Sequence, residues 1–281
     1  KDPKNVTFRL SLADIYAGQG RLDEAQELLS GAVDDSPVDA GMRYFYAEFL
    51  FGRGIRNEAE QEFRKVLNTD PLQHLARDRL YDILLIRRDK PAANALTADL
   101  IKAFPKDPGA DYFRARDLEL DGKYAEATPL FLRSIEGLPQ FFPAYRRIGL
   151  IELRRGERTT GLEHLRQAVG INEHDVASRL ALARDAFLQQ QFGLALTHVN
   201  KILEKYPTQL AAHVMKADIA LIQGDLDQAR RVYAFLAERR PDNTLGFLKL
   251  GLLEERAGKL DKALELYEKA LVFDANNLIP A

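Results

Sequence analysis

The sequence holds no cysteine and no tryptophan, two methionines and five histidines among 281 residues. Without cysteine there is no disulfide framework, no thiolate metal site and no thiol nucleophile, a composition that suits cytoplasm and periplasm alike. A surplus of charge is missing too. Forty basic residues against 42 acidic ones leave a net charge of -2, which excludes a global basic field for nucleic acid or an anionic membrane and leaves only local charge to recognise a partner. Long apolar runs are absent: Ile83 to Ile86 and Ile148 to Ile151 fall far short of the roughly 18 residues a bilayer span needs. No signal peptide is visible, but the chain opens on Lys1-Asp2-Pro3 without an initiator methionine, so it reads as an excised fragment and the missing targeting segment excludes nothing. His74, His164, His174, His198 and His213 form no HExxH pair, and neither a glycine-rich phosphate loop nor GxSxG occurs, so the chain is expected to be no enzyme and to carry no metal or cofactor.

What is present is repetition. Stepping through the chain by 34 residues connects Pro3, Pro37, Pro71, Pro105, Pro139, Pro207 and Pro241, with Glu173 the exception. The same step connects Ala25, Ala59, Ala93, Ala127, Gly161, Ala195, Ala229 and Ala263. Two independent columns in one register define eight repeats, at 6–39, 40–73, 74–107, 108–141, 142–175, 176–209, 210–243 and 244–277, read as one array over 1–281. Each column has a physical cause. The small residues of the second helix face small residues of the first, Ala13, Ala47, Ala115, Gly149, Ala183, Ala217 and Gly251, and allow the two backbones to approach. Glycines such as Gly20, Gly54 and Gly122 tolerate the positive φ that helix C-termini need. The prolines close the second helix, lacking an N–H donor. One repeat cannot bury its apolar face alone, so stability comes from stacking.

The stretch from Asp242 to Ala275 carries Phe247, Leu250 and Gly251 on one helical face, then Ala263, Tyr267 and Ala270 after a glycine turn. Aromatic, Leu-Gly, then alanine and aromatic at this spacing resembles the tetratricopeptide-repeat family. The resemblance implies an all-α right-handed superhelix, an α-solenoid of eight helix-turn-helix repeats. It is similar to long bacterial proteins of that family, with a lean toward the periplasm.

Departures from the pattern carry further expectations. Repeat three places Tyr81 in the small column, Thr97 in a large apolar one and Arg88 at the turn glycine, which predicts the least regular joint. Pro129 falls inside a second helix, where a bend is expected. Arg114 and Lys216 replace apolar residues and are expected to snorkel. Both ends read as truncated from a longer array, with Pro3 a remnant and Leu278-Ile279 running onward, so the end faces are expected to fray or to self-associate.

In the resembled family the first helices line a concave groove and point their second, fifth, ninth and twelfth residues into it. Carried over, this implies three zones: an acidic and aromatic one with Asp14, Tyr44, Glu48, Phe51, Asp78 and Asp82; a basic one with Tyr112, Arg116, Arg146, Arg154, Arg184 and Phe187; and an apolar one with Val214, Asp218, Leu221, Leu248 and Leu252. The alternative reading of these charges is a solvated face with internal ion pairs, Asp117 or Glu119 with nearby arginines. The carboxylate clamp of heat-shock co-chaperones is absent, because the fifth and ninth positions pair Tyr44 with Glu48 and Asp78 with Asp82. The asparagine ladder of O-GlcNAc transferase is absent too, its column holding Phe45, Arg79, Phe113 and Arg147 among others. The expected function is a non-catalytic scaffold gripping a protein or peptide segment, acidic where it meets the arginines. Two alternatives are an assembly module of a bacterial envelope exopolysaccharide-synthesis or secretion system, and the substrate-recruiting arm of an enzyme whose catalytic domain lies elsewhere.

Overall fold

A computed structural model of the protein describes residues 6–239 and 244–277. The expectations resting on Pro3, Pro241, Leu278 and Ile279 lie outside the described residues. The chain divides into two compact units, Lys1–Glu173 and His174–Ala281. In the first unit the helices are α1 (Val6–Gly18), α2 (Leu22–Asp35), α3 (Ala40–Gly52), α4 (Arg56–Thr69), α5 (His74–Ile86), α6 (Lys90–Ala103), α7 (Pro108–Leu120), α8 (Tyr124–Gly137), α9 (Phe142–Arg154) and α10 (Arg158–Ile171). In the second they are α11 (Val176–Leu188), α12 (Phe192–Lys205), α13 (Leu210–Ile222), α14 (Leu226–Arg239), α15 (Leu245–Arg256) and α16 (Leu260–Asn277). Every described element is helical, and each repeat is a pair of antiparallel helices, as the 34-residue columns require.

The columns do the physical work expected of them. Ala25, Ala59, Ala93, Ala127, Ala195 and Ala229 are fully buried. Within repeat five α9 and α10 approach closely, and a Cβ on Gly149 would lie 2.7 Å from the carbonyl oxygen of Gly161. Six turn glycines adopt positive φ, Gly20 at 77° and Gly156 at 81° among them. The two turns without glycine keep the same backbone: Arg88 has φ 61° and Gln190 φ 57°, a left-handed conformation that costs an L-residue roughly 1–2 kcal/mol. Several first helices are capped by side chains, with Asp39 accepting from the Met42 N–H at 2.9 Å and Asp175 from the Ser178 N–H at 3.1 Å, which satisfies backbone donors the helix leaves open.

Repeat three departs as its sequence predicts. Tyr81 is wholly buried and its ring stands where other repeats carry alanine or glycine, so α5 and α6 approach each other less closely than most helix pairs of one repeat. Pro129 does not end α8, which runs unbroken from Tyr124 to Gly137; the proline lies on the exposed face, where water can serve the carbonyl it leaves unpaired. Arg114 reaches outward to Asp111 at 3.4 Å and Lys216 to Asn200 at 3.4 Å. The last helix α16 has 18 residues where the other second helices have 14, with alanine at 275 in place of the closing proline.

Candidate functional site

The first helices of repeats two to five stand side by side and are joined by ion pairs. Glu48 on α3 receives a bidentate pair from Arg79 on α5, at 2.6 and 3.1 Å. Asp78 and Asp82, one turn apart on α5, both receive Arg116 of α7 at 2.6 Å. Asp78 also accepts from the Tyr112 hydroxyl at 2.6 Å and lies 3.4 Å from Arg146 on α9. Arg147 reaches Asp82 at 3.5 Å and Glu119 at 3.2 Å. Four carboxylates thus interleave with four guanidinium groups across four successive repeats.

Burial makes this network strong. Arg116 is 1 % exposed, and its guanidinium carbon sits 4.0 Å from the Tyr81 ring centroid, as in a cation–π contact. Tyr81 itself donates to Asp117. Removing water pushes the Asp78 carboxyl up, but Arg116, Arg146 and Arg147, with the Tyr112 hydroxyl, outweigh that and hold it at about 2. Burial works against the Arg116 charge as well, and the carboxylates of Asp78 and Asp82 more than restore it, raising its pKa. The Tyr44 and Tyr112 phenols are both raised, first by burial and then by Glu48 and Asp78 respectively, so both stay protonated hydrogen-bond donors.

The residues expected to line a groove are therefore placed unequally. Asp78, Tyr112, Arg116 and Arg146 are buried, with side chains engaged in the network. Glu48 and Asp82 are half-buried and paired. Tyr44 packs on Phe63 at 6.0 Å between ring centroids, and Phe51 lies under the Arg79 guanidinium at 5.4 Å. Arg154 is the last residue of α9, one place past the twelfth position; its side chain is 58 % exposed, 4.0 Å from Glu119 and stacked on Tyr124 at 5.8 Å. In the second unit Arg184 is exposed and Phe187 packs edge-on against Phe192 at 5.8 Å. The acidic and basic zones, read along the sequence as consecutive stretches, meet as partners within the first unit. Glu119 pairs with arginines, as the reading of internal ion pairs has it. Sequence reasoning missed Arg79 and Arg147; both stand at the sixth position of a repeat, and the opposite charge at the ninth position of the repeat before, Glu48, is the signal that could have found Arg79.

His164 pairs with Glu152 at 2.7 Å and His213 with the Pro207 carbonyl at 2.7 Å. Among the described residues no group of three or more His, Asp or Glu could hold a metal ion, and no described helix is long and apolar enough to cross a membrane.

Tetratricopeptide-repeat family profiles match residues 18–80 and 214–277. The chain is 27% identical over 168 residues to the BBSome complex member BBS4 of Bos taurus, covering 60% of this chain and 32% of that protein. It is 24% identical over 215 residues to tetratricopeptide repeat protein 8 of Caenorhabditis elegans, covering 75% of this chain and 40% of that protein. The chain thus spans well under half the length of these curated relatives. Among solved structures, the APC/C hetero-tetramer Cut9–Hcn1 superposes with a TM-score of 0.66 at 13% identity, over 98% of this chain and 54% of that one. MamA gives a TM-score of 0.52 at 16% identity, over 58% of this chain and 95% of that one. Both share the fold.

Proposed function

Because the chain is a tetratricopeptide-repeat protein, an all-α solenoid of stacked helix pairs, we propose that it is a non-catalytic scaffold that holds a segment of another protein against its first-helix face. The observation that carries this is the Asp78 network. Interleaved ion pairs between successive first helices fix that face before any partner arrives, and a surface already ordered loses little conformational entropy on binding. Contacts come from residues the network leaves accessible, the half-buried Tyr44 and Phe51 and the exposed Arg154, since aromatic and arginine side chains dominate typical hot spots. The buried arginines act indirectly, by setting the spacing of the helices.

The names of the similar proteins support the same reading at the level of assembly. One is a member of the BBSome complex and another was solved as a hetero-tetramer, so we place this chain too within a larger protein assembly. The test is partner capture by the full chain, compared with Phe51→Ala and Arg154→Glu variants whose helicity by circular dichroism is unchanged. Capture lost in the variants supports the face; capture unaltered in both places the partner elsewhere.

A further inference from the structure

The first-helix face ends at the turns inside each repeat, and in the first unit these turns form an edge of their own. Arg87 reaches back from the third turn to Asn57 at 2.7 Å and Glu60 at 2.6 Å, and Lys90 reaches forward to Asp121. The turns of repeats two, three and four therefore abut. Each also holds a cation with no carboxylate among the described residues within ion-pair distance: Arg56, Arg88 and Lys123, all exposed. Between them lie two apolar side chains in the open, Ile86 at 49% and Leu120 at 40% exposure. Both occupy the last position of their first helix, where α3 ends in glycine.

Arg88 is the telling residue. Six described turns place glycine at this position, and Arg88 holds the same left-handed backbone at φ 61° despite its side chain. Among the described residues no hydrogen bond or ion pair of the Arg88 side chain repays that strain. Gln190 holds the same conformation at φ 57°, so the backbone alone marks no site; what sets Arg88 apart is an exposed cation beside the exposed apolar Ile86.

We propose that this edge is a docking strip for an acidic amphipathic protein segment, whose apolar residues cover Ile86 and Leu120 while its carboxylates meet Arg88, Arg56 and Lys123. The proposal rests on the scaffold reading and names the chemistry of the partner. Successive helices spaced roughly 10 Å apart make three turns an edge of about 20 Å, the length of a helix of about 14 residues. The acids Glu58, Asp89 and Glu126 stand in the same turns, so a uniform polyanion such as a lipid surface or nucleic acid meets repulsion there. A segment that spaces its carboxylates between apolar residues does not.

The experiment uses the full chain and a fluorescein-labelled synthetic helix of leucine and glutamate, against a control with glutamine in place of each glutamate. Arg88→Gly removes the cation and also relieves the backbone, so the variant melts no lower than wild type and weakened binding is not a folding defect. The expected result is binding of the glutamate peptide, weakened about three- to fivefold in Arg88→Gly, as for loss of one exposed ion pair, and weakened further in Ile86→Ser. Salt should weaken it as well. Absence of measurable binding, equal binding of the glutamine control, or an Arg88→Gly variant that binds like wild type overturns the proposal. Displacement of the peptide by phosphatidylserine vesicles or single-stranded DNA overturns it in favour of a general polyanion surface. If the full chain captures a cellular partner through Phe51 and Arg154 with no sensitivity to Arg88→Gly, the edge fails and the scaffold reading stands.

Discussion

Replacing Asp78 with asparagine keeps the shape of the side chain and removes one charge from a buried network. Arg116 is left 1% exposed with a guanidinium arm that has lost its 2.6 Å carboxylate, and Arg146 loses its 3.4 Å partner. Breaking a buried pair on one side costs about 3–5 kcal/mol; because Asp82 still holds the second arm of Arg116 at 2.6 Å, the lower end, about 3 kcal/mol, is expected. Against a whole-domain stability of roughly 5–15 kcal/mol, that is a large fraction. Repeat arrays unfold by neighbouring segments rather than as one unit, so the readout is native-state hydrogen exchange, supported by urea denaturation. Amides of α5, α7 and α9 should lose protection while those of α1 and of α13 to α16 keep theirs. Arg116→Met should be nearly as costly alone, and the double variant should recover about 2 kcal/mol relative to the sum, because the partner of each single variant is no longer stranded. A single variant within about 1 kcal/mol of wild type, or strictly additive effects, would refute the claim that this network fixes the first-helix face.

Other consequences are simpler to measure. Gly149→Ala should destabilise by about 1–3 kcal/mol, since the new Cβ meets the Gly161 carbonyl and Leu165 with backbone on one side; thermal denaturation detects it. Gln190→Gly should stabilise by about 0.5–1 kcal/mol, the left-handed strain relieved exceeding the added freedom of glycine in the unfolded chain; an unchanged or lowered melting temperature would contradict it. The Asp78 carboxyl titrates at about 2 in the folded protein against an ordinary value of 3.8. Its folded value is depressed, so its contribution is fully present above about pH 4 and is lost as pH falls toward 2, amounting to about 2 kcal/mol. Asp78→Asn should flatten stability across that window; an unchanged acid limb would count against the pairing.

Helix boundaries and turn positions were legible because each repeat sees the same neighbours at the same offsets. Small residues at 47, 149 and 183 mark close helix approach whether or not the rest of the repeat is regular, and Tyr81 announced its own irregularity by bulk alone. Ion pairing was not legible in the same way. Asp78 meets Arg146 across 68 residues, two periods along the chain, and columns that compare a repeat with the next do not show which side chains span two. Charges at 78, 116 and 146 thus read as surface zones along a groove, whereas long arginine side chains fold back across the helices and bury them. The left-handed turn at Gln190 went unread because glutamine carries no conformational signature; only its place in a glycine column gives it away.

On the proposed function, the first-helix face of the first unit receives a protein partner. Site-specific photo-crosslinking tests it most directly, with a benzophenone side chain at Phe51 and at Leu120 on that face and its edge, and at exposed Leu132 on a second helix as the control. One protein is expected to crosslink from both test positions and not from Leu132, with purified partner reproducing the pattern. Equal crosslinking at all three positions, or capture from Leu132 alone, would contradict it.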